Sequence, residues 1–324
     1  MQLFTSTLEQ MVFLFALILI GYLVAKFGVV PKSTSEVLAK LENNIFIPAL
    51  VLGTFLKHFT VDTLQDAWKL LLVGFAIAFV SIPITKLICR AVTKDQYVQK
   101  IYTYGLVFSN FGFMGNAVVM AIFPDYFDEY LIFALAFWTV IYLVGVPRWL
   151  IPNDSEGKPS LKSNLMKLVN PMFIAMLVGM ILGIVFSSFN IVIAAENPVM
   201  KVITVAGDCM SPIAMLITGI TIAGYSFKKM MTNIGVYVIS IFRLLVYPLV
   251  ALGVFVLLRP LNVSREIVVC TMCFMAMPLG LNTIVVPSAY GKDTSVAAGM
   301  ALISHLLSIG SIPLIFMLVD RFLL

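Results

Sequence analysis

Residues 275–290 read MAMPLGLNTIVVPSAY. They lie in an apolar run, 266–290, long enough to cross a bilayer. A continuous apolar helix does not tolerate Pro278, Gly280, Asn282 and Pro287 so close together. Proline lacks the N–H that its helix needs, and its ring clashes with the carbonyl one turn back. In hydrocarbon each backbone group freed in this way needs another partner. Broken backbone at that depth is therefore expected where it is buried in protein or lines a cavity, as in carriers that hold their cargo at half-helix ends. A second stretch of the same make-up, SNFGFMGNAV at 109–118, lies in the apolar run 101–123.

The chain around these stretches has 324 residues, 61% hydrophobic and 11% charged, with a mean hydropathy of +1.04. Soluble domains carry about a quarter charged residues. An all-α polytopic protein with the lipid bilayer as its solvent is expected. The net charge of +5 is spread through short loops and offers no basic patch for nucleic acid. Residues 1–10 hold no Lys or Arg, so no cleavable signal peptide is expected. Cys270 and Cys273 form a CxxC inside VVCTMCFMA, with no second pair and with His58 and His305 far off in sequence. They read as small apolar residues and not as a metal or redox site. No GxSxG, HExxH or GxxxxGK[ST] motif occurs, so no enzyme, cofactor or ATP-driven pump is expected.

Ten apolar segments of roughly 20 residues can be laid along the chain. Five prolines of the first half, Pro31, Pro48, Pro83, Pro124 and Pro147, have counterparts in Pro198, Pro212, Pro248, Pro287 and Pro313 at separations of 163 to 167 residues. Each half then has an odd number of spans, so the second is inverted against the first. The expected plan is a 5+5 inverted repeat with two broken crossover helices, the fourth and the ninth. Its parts are a first five-helix repeat at 1–151, a cytosolic connecting loop at 152–170 and a second, inverted repeat at 171–324. Basic residues gather in one set of loops, among them Lys86, Arg90, Lys94, Lys100, Lys158, Lys162 and Lys167. The positive-inside rule then puts both termini outside a plasma membrane.

The same stretches carry a resemblance. NNIFIPALVLGTF at 43–55, SNFGFMGNAV at 109–118, GDCMSPIAMLITG at 207–219 and MPLGLNTIVVPSAYG at 277–291 resemble the second helix, first crossover, seventh helix and second crossover of the auxin efflux carrier family. Ala117 stands where plant members often have a proline, and their long cytosolic loop is absent. The resemblance implies a homodimer of ten-helix subunits. It also implies crossing fourth and ninth helices, an elevator-like alternating-access cycle, and cargo among small organic anions such as dicarboxylates or auxin-like carboxylic acids.

On that reading Asn110, Gly112, Phe113, Gly115 and Asn116 at the first break, with Pro278, Gly280 and Asn282 at the second, form the substrate site. Freed N–H groups and half-helix dipoles suit a carboxylate, and Asn110 and Asn282 can donate to it. Helix–helix packing is the plainer reading of the small residues. Asp208, taken as the one acid well inside a span, is expected to carry coupling to protons or sodium. Asn44 before Pro48, and Asp208 with Ser211 before Pro212, are expected to support helix breaks, because each proline frees the carbonyl four residues back. Arg243 is expected to snorkel to the interface, and His305 to be a packed polar residue. Gly179 and Gly183 form a GxxxG suited to a dimer contact. The competing readings are a membrane sensor that kept the carrier fold, and a uniporter or channel without ion coupling.

Overall fold

The computed structural model describes residues 2–31, 33–151, 170–191, 196–226, 230, 232–289 and 292–323. The expected connecting loop therefore lies outside the described residues except for Asn170. So do Tyr290 and Gly291, which close the second crossover motif. Among the described residues the chain is nearly all helix, and its one β feature is an isolated bridge. Among the described residues seven helices are long and apolar enough to span a membrane. An eighth arises if Pro124–Val140 and Leu143–Leu150, bent by 44°, are read as one.

One group of helices contains α1 (Gln2–Lys26), α2 (Thr34–Leu41), α3 (Ile47–His58), α8 (Pro171–Ser188), α9 (Pro198–Asp208) and α10 (Met210–Ala223). The other contains α4 (Val61–Val92), α5 (Gln96–Val107), α6 (Asn116–Ile122) and α7 (Phe127–Val140). It also holds α11 (Ile234–Ile241), α12 (Tyr247–Leu257), α13 (Arg265–Ala276), α14 (Asn282–Ala289) and α15 (Ser295–Phe322). α15 is the most buried of the long helices and touches both groups, meeting α1 and α10 on one side and α11 and α13 on the other. Large apolar side chains such as Leu72, Phe79 and Leu87 on α4 and Val250 and Leu257 on α12 face outward. Hydrocarbon suits those faces.

The prolines act locally. Before Pro48 and before Pro248 the helix widens into a π-type turn, Glu42–Phe46 and Phe242–Val246. Ile47 N–H bonds Glu42 O and Tyr247 N–H bonds Phe242 O, five residues back in each case. The extra residue gives the proline ring room beside the preceding turn. The side-chain amide of Asn44, in the turn before Pro48, donates to Lys40 O at 2.7 Å. Pro212 follows a break at Cys209, one residue after Asp208, with Ser211 half-buried on α10. Pro83 and Pro313 stay inside α4 and α15.

Glycines set the closest helix approaches. Gly179 and Gly183 face α3, where an added Cβ would meet the Phe55 Cβ and the Phe55 and Phe59 carbonyls. The GxxxG is thus a contact within the chain, between α8 and α3. On α10, a Cβ at Gly219 would press into the Ile18 carbonyl and Tyr22 nitrogen of α1. Backbone cannot rotate away, so Gly219→Ala is expected to lower stability by about 1–3 kcal/mol. Gly253→Ala, which meets nothing within 4 Å, is the control. A melting curve in detergent that leaves Gly219→Ala level with Gly253→Ala would refute the close contact.

Candidate functional site: the crossing of two broken helices

Asp95 starts α5 by accepting from the Tyr97 and Val98 N–H groups, as an N-cap does. The helix stops at Val107, runs extended through Ser109, and resumes as a π-type turn, Phe111–Gly115, leading into α6. In the second half α13 stops at Ala276, and α14 starts at Asn282. The two unwound pieces meet. Ser109 and Leu279 pair antiparallel, and Asn110 N–H donates to Pro278 O at 2.7 Å. Ser109 Oγ donates to Phe274 O, Leu279 N–H donates to Ser304 Oγ, and Thr283 Oγ1 donates to Gly280 O. A Cβ at Gly280 would lie 3.2 Å from the Phe108 and Ser109 carbonyl oxygens. Glycine therefore permits the crossing, and several freed backbone groups find partners in it.

Arg243 does not snorkel. It is 1% exposed. It donates from Nε to Met277 O at 3.0 Å, from one terminal nitrogen to Leu106 O at 3.1 Å, and from the other to Phe274 O at 2.6 Å. Those carbonyls belong to the C-terminal ends of α5 and α13, the negative ends of their dipoles. A planar, five-donor guanidinium suits several carbonyls at once. Its carbon also lies 5.3 Å from the Phe274 ring centroid. Phe274 stacks on Phe137 at 3.7 Å and joins Phe111 and Phe133 in an aromatic wall behind the crossing.

The three expected amides differ in what they have left to offer. Asn110, 2% exposed, points Nδ2 at His305 Nε2, 3.0 Å away. His305 Nδ1 lies 2.7 Å from Ala301 O, and a carbonyl only accepts. The proton therefore sits on Nδ1, and Nε2 accepts from Asn110. Asn282 is half-buried and donates to the Tyr104 hydroxyl at 3.0 Å. Asn116, 4% exposed, has no side-chain hydrogen bond among the described residues. It lines a small space of about 20 Å³ with Ile47, Val51 and Phe55 of α3, Trp138 of α7 and Met176 of α8. That is room for about one water, between the two helix groups. Phe113 is the one half-buried residue of its turn. Gly112 and Gly115 have a packing role, since added Cβ atoms would run into the Trp138 ring and the Tyr130 hydroxyl.

A larger cavity, about 510 Å³, lies between α3 and α9 on one side and the α6–α7 connection on the other. Asp125, Asp128, Asp208 and Lys57 line it. Asp208 is exposed to this cavity and not sealed in the protein interior. Gly207 next to it packs against the Leu50 backbone, where a Cβ would come within 2.9 Å. The acid that is sealed is Glu42, 0% exposed, two turns into the helix that begins at Thr34. The expectation of a single intramembrane acid is corrected here. Among the described residues neither oxygen of Glu42 has a hydrogen-bond partner.

Sequence reasoning placed both breaks but missed the work of Arg243, His305, Tyr104 and Glu42. The available signal was that each is a polar side chain inside an apolar run, and such residues are costly and seldom idle. Cys270 and Cys273 are buried free thiols, in keeping with the apolar reading.

An uncharacterized transporter of Methanothermobacter thermautotrophicus is 24% identical over 314 residues, covering 96% of this chain and 98% of that protein. A family model described as membrane transport protein matches residues 6–157 and 158–316. With nearly its whole length matched, and the two broken helices crossing where the motifs lie, this chain belongs to the membrane transport protein family, that of the auxin efflux carriers.

Proposed function

We propose that this protein is a secondary carrier of small organic anions, working as a homodimer by elevator-like alternating access. The observation that carries the reading is the crossing itself, with the unbonded Asn116 amide facing a small space between two helix groups. On this reading each broken pair crosses the membrane once, which makes ten spans in two inverted sets of five. One helix group serves as the fixed frame, and the group holding the crossing moves against it. The anion's carboxylate is received by N–H groups at the starts of the broken second halves and by Asn116, with Asn110 and Asn282 held in place by His305 and Tyr104. The larger cavity, with three aspartates to one lysine, suits a proton or cation better than a dianion. Asp208 there carries the coupling ion. Both termini lie outside the plasma membrane on this reading, which the loop charges support.

Flux into proteoliposomes tests this. Labelled malate, malonate, succinate and indole-acetate are offered, each with and without an imposed pH gradient or membrane potential. Saturable flux of one anion is expected, reduced ~10-fold or more in Asn116→Leu, the cost of one hydrogen bond to a charged group. The Asp208→Asn variant is expected to keep flux but lose its response to the gradient. Absence of saturable flux for every anion, with folded protein, would overturn the carrier reading in favour of a sensor.

A further inference from the structure

We propose that Glu42 is a proton-binding site, a carboxylic acid held inside the α2–α3 helix that takes up and releases one proton as the protein works. The site is separate from the aspartates of the large cavity.

Its placement is the ground for this. Glu42 is 0% exposed, and among the described residues neither carboxyl oxygen has a hydrogen-bond partner. It opens the wide turn Glu42–Phe46, and its own carbonyl accepts from Ile47 N–H. The turn packs against α2, α3, α8, α9 and α10. No cation on these elements reaches it. α8 and α10 contain no charged residue. On α2, Glu36 and Lys40 are exposed and pair with each other at 2.8 Å. On α9, Lys201 and Asp208 are exposed. On α3, Lys57 and His58 lie about 20 Å further along the helix at 1.5 Å per residue, and Lys57 lines the large cavity. An ionised carboxylate sealed from the surface, with no counter-charge beside it among the described residues, is the costly form in such a place, and the neutral acid is the form that fits.

The local backbone allows a change of state. Wide helical turns recur at functional sites because the extra residue leaves the ladder loosely closed. Here the turn is followed by Pro48, which adds no N–H of its own. It is flanked by the exposed Asn43 and Asn44, whose amides donate to Ala39 O and Lys40 O. If the turn slides against α9 and α10, water reaches the carboxyl. The acid O–H bond then breaks, the proton passes to water, and the carboxylate is hydrated. The reverse step takes one proton back, and no other bond changes. Coupling of this proton to cargo rests on the carrier reading, whereas proton binding itself does not.

Infrared spectroscopy of the purified full chain in lipid nanodiscs tests it without any cargo. The wild type is expected to show a protonated-carboxyl carbonyl band that shifts in D2O and weakens as pH rises. Glu42→Gln should lack that band, and Glu42→Asp should move it. A wild-type spectrum without such a band, a band that survives in Glu42→Gln, or one indifferent to pH would each overturn the proposal. In the flux assay, a Glu42→Gln protein that folds is expected to lose its response to a pH gradient. If no anion gives flux, the carrier reading fails while the infrared result still decides Glu42.

Discussion

Arg243→Met is expected to prevent the protein from accumulating in folded form. The substitution keeps bulk and apolar contact, so what it removes is three donors. Three carbonyls, on Leu106, Phe274 and Met277, lose their partner in a place sealed from water. A buried group left unsatisfied costs about 1–3 kcal/mol, so the sum approaches the whole stability of a typical domain, ~5–15 kcal/mol. The two dipole ends are also left without positive charge. Arg243→Lys keeps the charge on a single point and is expected to be intermediate, because one ammonium cannot match the planar fork. Size-exclusion profiles and melting curves of the solubilised protein check both. A wild-type melting temperature for Arg243→Met would sink the account of the crossing.

Asn110→Ala is expected to abolish most saturable flux, by ~10–100-fold, the range for losing a hydrogen bond to a charged group. The fold should survive, because the main-chain bond from Asn110 N–H to Pro278 O does not depend on the side chain. The side chain's partner, His305 Nε2, is then left without its donor. His305→Leu is therefore expected to reduce flux too, and the double variant to do little more than Asn110→Ala alone. Residues acting as one unit are not additive. Additive losses would mean that His305 does not position Asn110. Full flux in Asn110→Ala would remove the crossing from the substrate site.

What could be read from the sequence followed from covalent chemistry and period. Pro278 and Gly280 must interrupt a helix wherever they fall in one, so the second break was legible from its residues. The apolar runs marked a helical membrane protein by length, and among the described residues seven helices, or eight with the bent pair, are long and apolar enough to span. The GxxxG of Gly179 and Gly183 was legible as a close contact, though not its partner, because nothing local says that α3 and not a second subunit lies opposite. Arg243 was misread for the same reason. A lone arginine in an apolar helix carries no mark of the carbonyls it will meet, which lie 31 to 137 residues away in the chain. Asp208 and Glu42 exchanged places: depth within a span does not decide burial, and the side of the helix a residue occupies does.

Fastening α5 and α13 through one guanidinium makes a rigid cartridge of the two half-helices. Such a cartridge cannot loosen its own grip. On the carrier reading proposed above, a guest held at the crossing would leave by the neighbouring wall sliding away, and the clearance there is thin: Asn116, Val51 and Met176 enclose a gap of about 20 Å³. A wedge in that gap would act as a brake on such a machine whatever its cargo, and a cysteine pair spanning it, Val51→Cys on α3 with Leu135→Cys on α7, both of which line the gap, would serve as the latch.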